Sequence, residues 1–96
     1  MTASKTPTAS GISRLLREAG FERSTSEGGS LRSTGFEVEA GLRAGEVLVY
    51  WHSPLTRGAA SRRPRELAAY AATIASAGSA TKIAEYCLVV TAKTED

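Results

Sequence analysis

The chain has 96 residues, 42% apolar and 23% charged, with a formal net charge of +2; this length holds one core, not two, and this composition lies outside the disordered regime. The charge excess is too small for a dense basic field, and a lone cysteine, Cys87, beside a lone histidine, His52, excludes an internal disulfide and any ordinary structural metal centre. No apolar run approaches membrane-spanning length and the opening MTASKTPTAS lacks the apolar stretch of a secretory signal, so a cytoplasmic protein without cofactor or small-molecule substrate is expected.

Residues 1–8 are mostly Thr, Ser, Lys and Pro and read as a flexible tail, followed by a single domain over 9–93 and a frayed terminus at 94–96. Ile12, Leu15, Leu16 and Ala19 recur at helical spacing, with Thr8 or Ser10 as N-cap and Gly20-Phe21 as a left-handed C-cap with its hydrophobic contact. Glu22 to Thr34 is polar and interrupted by Gly28 and Gly29, which predicts a loop with at most a short edge strand at Arg23–Ser26.

Phe36, Val38, Ala40 and Leu42 then alternate with Glu37, Glu39, Gly41 and Arg43, and Val47 to His52 is a β-branched and aromatic run; together they predict a hairpin. A two-residue turn at Ala44-Gly45 would set Leu42 across from Val47, Ala40 from Val49 and Val38 from Trp51, all on one core face. A slip of one residue would send Leu48, Tyr50 and His52 into that core instead. On the opposite face the same turn sets Glu39 across from Tyr50, Glu37 from His52 and Gly41 from Leu48.

Pro54 should end the strand, and Leu55 to Arg63 reads as a connection. A second helix is expected with Pro64 in its first turn, Ser61 as cap and an apolar stripe of Leu67, Tyr70, Ala71 and Ile74, ending before Gly78. Ile83 to Ala92 reads as one closing strand, with Ala84, Tyr86, Leu88 and Val90 on one side and Ile83, Cys87 and Val89 on the other. The resulting fold class is α+β, in the order helix, short edge strand, β-hairpin, helix, strand, with a three- to four-stranded sheet and both helices on the Trp51 face.

Two constellations stand out. Glu37, Glu39, Leu48, Tyr50, His52, Cys87 and Val89 share the outer sheet face, where an apolar patch of Leu48, Tyr50, Cys87 and Val89 suits association with a protein partner or a second copy. Glu37 beside His52 could orient a general base, or be the polar pair that antiparallel strands commonly form. Without an accompanying nucleophile or oxyanion donor, no catalytic residue is assigned. Arg57, Arg62, Arg63 and Arg65 cluster at the start of the second helix, where free N–H groups favour anions; a solvated charged loop has the same composition. The expected function is a non-enzymatic interaction module acting through the outer sheet face, with nucleic-acid binding by the arginine cluster as the alternative.

The segments GISRLLREAGF, GFEVEAGLRAGEVLVYWHSP, RELAAYAATIASAG and YCLVVTA resemble small α+β proteins of actinobacteria and their phages. That resemblance implies an accessory role in a phage or mobile element and no catalytic residues. LLREAGF before a strand also resembles HicA-like toxins of the double-stranded-RNA-binding fold. Those toxins place Gly-Ser-His on the next strand, and here Gly29-Ser30 is followed by Leu31, so the catalytic histidine is absent.

Overall fold

The structure, a computed structural model, describes residues 6–28, 30–53 and 58–93. Its elements in chain order are α1 (Ala9–Glu18), β1 (Thr25–Glu27), β2 (Ser30–Ser33), β3 (Gly35–Ala40), β4 (Val47–His52), α2 (Ala59–Ser76), β5 (Ser79–Ile83) and β6 (Leu88–Ala92). The α+β class and the two helices follow the expectation; the expected frayed end at 94–96, residues 1–5 of the expected tail, and Pro54 lie outside the described residues.

Helix α1 is capped at both ends as its residues dictate. The Thr8 hydroxyl accepts a hydrogen bond from the Gly11 N–H at 3.1 Å. At the other end Gly20 has φ 98°, and the N–H groups of Gly20 and Phe21 donate to the carbonyls of Arg17 and Leu16, both at 3.0 Å. This paired closure turns Phe21 back onto the core, where its ring meets Tyr70 edge-on at 5.0 Å.

The segment expected to be mainly a loop instead contains two strands among its described residues. Strands β1 and β2 form a separate two-stranded antiparallel ribbon, with the Ser33 hydroxyl bonded to the Thr25 N–H at 3.1 Å and to the Thr25 hydroxyl at 2.8 Å. Such a ribbon is held by backbone and hydroxyl groups and leaves no apolar period to read. Ahead of it, Arg23 bridges Phe36 in parallel. The Ser24 N–H donates to the Phe36 carbonyl at 2.9 Å, and the Phe36 N–H donates to the Glu22 carbonyl at 3.0 Å. The approach is close because of Gly35: a Cβ there would stand 2.6 Å from both Arg23 C and Ser24 N.

The main sheet has the order β3-β4-β6-β5, and every neighbouring pair is antiparallel. The hairpin departs from the expected pairing by two residues: Phe36 lies across from Trp51, Val38 from Val49 and Ala40 from Val47. The connection is longer than a two-residue turn. The Gly41 N–H donates to the Glu46 carbonyl at 2.7 Å and the Glu46 N–H to the Arg43 carbonyl at 3.1 Å, with Gly45 at φ 80°. Leu42, expected in the core, is therefore 99% exposed on the loop. A shift of two preserves side-chain parity, so Val47, Val49 and Trp51 stay in the core and Phe36 joins them.

Helix α2 begins earlier than expected, at Ala59 behind an N-cap Gly58. Ser61 is thus helical and not a cap, and Pro64 lies inside the helix, not in its first turn. Arg, Ala and Ser are adequate helix formers, and tertiary packing carries the helix through a proline that lacks its N–H. The expected closing strand over 83–92 is really two. Strand β5 starts immediately after Gly78, the chain turns at Ala84–Cys87 with the Ala84 N–H donating to the Cys87 carbonyl at 2.8 Å, and β6 returns. Ile83 and Tyr86, assigned to that strand, are 48% and 62% exposed.

Both helices cover one face of the sheet. Ile12 and Leu16 from α1 and Leu67, Tyr70 and Ile74 from α2 bury against Phe36, Val47, Val49, Trp51, Leu88 and Val90. No helix among the described residues is long and apolar enough to cross a membrane. Gly35→Ala should destabilise the fold by about 1–3 kcal/mol through overpacking, while Leu42→Ser should change it by less than about 0.5 kcal/mol. Urea unfolding of the two variants checks both, and a large loss from Leu42→Ser would contradict the loop.

Candidate functional site: the outer sheet face

Strand alternation and pairing set the face turned away from the helices. It carries Glu37 and Glu39 from β3, Leu48, Tyr50 and His52 from β4, Val89 from β6 and Lys82 from β5, with Leu48 directly across from Val89 and Val89 from Lys82. Cys87 lies just before β6, extending the same side. Leu48, Tyr50, His52, Cys87 and Val89 are half-buried, and Glu37 and Glu39 are exposed. All seven residues expected on this face from the sequence are brought together.

The polar pairs form as expected, by a different route. His52 Nε2 lies 3.0 Å from Glu37 Oε2, and the Tyr50 hydroxyl donates to Glu39 Oε1 at 2.9 Å. Their backbones are not opposite: Gly35 faces His52 and Glu37 faces Tyr50. Both contacts are therefore diagonals, which glutamate side chains are long enough to span. Tyr50 and His52 also stack, with ring centroids 5.7 Å apart and planes 12° apart.

The hydrogen bond to Glu39, then burial and the negative charges around it, push the Tyr50 hydroxyl up to about 12. Burial first, then the charges of Glu39 and Glu46, also raise the Cys87 thiol, which keeps it protonated and a weak nucleophile. Glu37, Glu39, Tyr50 and His52 line a shallow open depression. Glu37 can orient the imidazole there, but the described lining residues include no activated nucleophile for it to serve. No three His, Cys, Asp or Glu side chains among the described residues are grouped to hold a metal ion.

Of the arginines expected at the start of the second helix, Arg62, Arg63 and Arg65 lie within α2 and are not gathered into one site. Arg57 lies outside the described residues. The Arg62 guanidinium lies over the Trp51 ring, 5.1 Å from its centroid, and 3.7 Å from Glu66 Oε1. Arg63 lies over Tyr86, 5.8 Å from its centroid, and Arg65 is exposed. A different set converges instead: Arg14, Arg17 and Arg23 line one groove with Ser10 and Ser13. The spacing of Ser10, Ser13, Arg14 and Arg17 was a visible signal for a shared helix face; that Arg23 joins them follows only from the Phe36 bridge.

No family model, curated protein or solved structure matches this chain.

A raised tyrosine has a defined pH consequence. The neutral form is favoured in the fold, so its stabilising effect is complete below the unfolded value of 10 and is lost as pH rises through about 12. The tyrosinate absorbance that disappears in Tyr50→Phe should develop near pH 12 in the parent protein, and Glu39→Gln should move it down toward the ordinary tyrosine range. An unmoved titration in Glu39→Gln would exclude the hydrogen bond as the main cause.

Proposed function

We propose that the protein is a non-enzymatic association module whose outer sheet face binds a second copy of the chain. The observation carrying this reading is the arrangement of that face: an apolar centre of Leu48 and Val89 beside Tyr50, acidic residues Glu37 and Glu39 along β3, and Lys82 on β5 at the opposite margin. A two-fold axis parallel to the strands lays β3 of one protomer over β5 of the other. Glu37 and Glu39 then oppose Lys82 of the partner subunit, twice per dimer, and the apolar centres meet.

The size of the face sets the expected strength. Four strands about 4.8 Å apart and five or six residues long give a patch of roughly 20 Å on a side, smaller than the ~800 Å² per partner of a standard interface. Micromolar, reversible association fits such a patch. The resemblance to actinobacterial and phage proteins supports an accessory role for the module. The alternative, nucleic-acid binding through Arg57, Arg62, Arg63 and Arg65, has less support, because Arg62 and Arg63 are directed to different aromatic rings.

Sedimentation velocity from low micromolar to near-millimolar concentration should show a monomer–dimer equilibrium. Tyr50→Glu and Val89→Glu should each abolish it with the far-UV circular dichroism unchanged. Lys82→Glu should weaken it, and adding Glu37→Lys should restore part of the loss. A monomer at every concentration overturns self-association, and association insensitive to Tyr50→Glu and Val89→Glu moves it off this face.

A further inference from the structure

We infer that the groove between α1 and the β3 edge binds the phosphodiester backbone of a nucleic acid, without reading its sequence. Ser10, Ser13, Arg14 and Arg17 follow the i, i+3, i+4, i+7 spacing that places them on one side of α1, and Arg23 reaches the same groove from the segment bridged to Phe36. Two serines and three arginines thus line one trough, and no carboxylate is among its described lining residues. These are the donors that contact phosphate oxygens, with arginine able to grip two at once.

The three arginines differ from Arg62 and Arg63 on α2 in being unoccupied. Arg62 has Glu66 and the Trp51 ring, and Arg63 has the Tyr86 ring. Arg14, Arg17 and Arg23 are exposed and form no ion pair with a described residue. Three like charges lining one groove repel one another, and a bound polyanion relieves that repulsion while releasing its own counterions. A net charge of only +2 makes this concentration local, since the molecule as a whole has no basic field.

Shape selects a chain over a small ligand. The trough is open, and a second depression that adds Ser24 and Thr25 adjoins it, with Arg23 and Val38 bordering both. Glu37 borders that far end, where its carboxylate is bonded to His52. A small phosphate-bearing molecule is ordinarily enclosed on most sides; an extended backbone needs only a track. No aromatic side chain among the described residues lines either depression, so they offer bases no stacking platform and the contact is independent of sequence. Apart from Glu37 at its far end, the groove shares no described residue with the outer sheet face, and none of the three arginines lies on that face, so loss of either activity is scored without the other.

The test is fluorescence anisotropy with labelled mixed-sequence oligonucleotides, single-stranded and duplex, at low salt. The parent protein should bind with an affinity that falls linearly on a logarithmic salt scale. Arg14→Ala, Arg17→Ala and Arg23→Ala combined should lower affinity by more than about tenfold and reduce the salt slope by about 2–3. The matching Arg→Lys triple should keep most of the slope, while Arg62→Ala with Arg63→Ala should leave binding unchanged. Circular dichroism and the sedimentation equilibrium confirm that each variant is folded. The inference is overturned if the parent fails to bind either oligonucleotide, if the alanine triple binds as the parent does, or if the Arg62 and Arg63 pair loses as much. It is equally overturned if pyrophosphate or a nucleoside triphosphate binds through the three arginines and oligonucleotides do not.

Discussion

The close approach at Gly35 is the constraint on which the rest of the arrangement depends. Without a Cβ at this position the chain at Glu22–Ser24 can lie against β3, and both backbone groups of Phe36 are then satisfied from that side. The Ser24 hydroxyl adds a further bond to the Phe36 carbonyl at 3.2 Å. The junction fastens α1 to the sheet edge, because Gly20-Phe21 joins them with only a short link. Phe21 and Phe36 then meet the same Tyr70 ring, at 5.0 and 6.1 Å, so one aromatic side chain of α2 is held by both ends of the junction. Burial raises the Tyr70 hydroxyl strongly, which keeps the ring neutral in the core.

With two helices on one face and, among the described residues, none on the other, the molecule divides its chemistry by side. On the helix side Arg62 closes over Trp51 and pairs with Glu66. On the open side Glu37, Glu39, Tyr50 and His52 form two bonded pairs tied together by the Tyr50–His52 stack. Those bonds already restrain the four side chains, so the binding proposed for this face would cost little further side-chain freedom. Histidine and tyrosine held flat on a sheet give a surface apolar in area and polar at its edges, the character of many protein contact patches.

Much of this was legible in the residues, and the failures have physical causes. Helix α1 was readable because its stripe, its Thr8 cap and its Gly20 stop all agree. The outer face was readable because side chains alternate: an error of two residues in hairpin pairing leaves every side chain on its correct side. The same parity explains why Glu37–His52 and Glu39–Tyr50 were anticipated from opposed backbones and occur as diagonals. What escaped was structure lacking an apolar period. The β1–β2 ribbon is serine- and threonine-rich, and the turn between Ile83 and Leu88 contains no glycine or proline to mark it. The convergence of Arg23 with Arg14 and Arg17 depends on a single bridge across the sheet edge, which no local pattern encodes.

Two alignments of the β3–β4 hairpin keep every paired side chain on the same face and differ in whether Leu42 is paired in the sheet or left on the loop, so side-chain parity alone does not choose between them. The choice falls to the loop from Gly41 to Glu46, whose two backbone hydrogen bonds and left-handed Gly45 fix how far one strand has travelled along the other. Because α1 is fastened to β3 and α2 lies over β4 and the later strands, a loop that closed in two residues would carry α1 about 7 Å along the sheet. Phe21 would slide off Tyr70, and the arginine groove would move with it. An exposed loop with Leu42 at its surface therefore acts as the stop on a slide that sets the distance between the two helices.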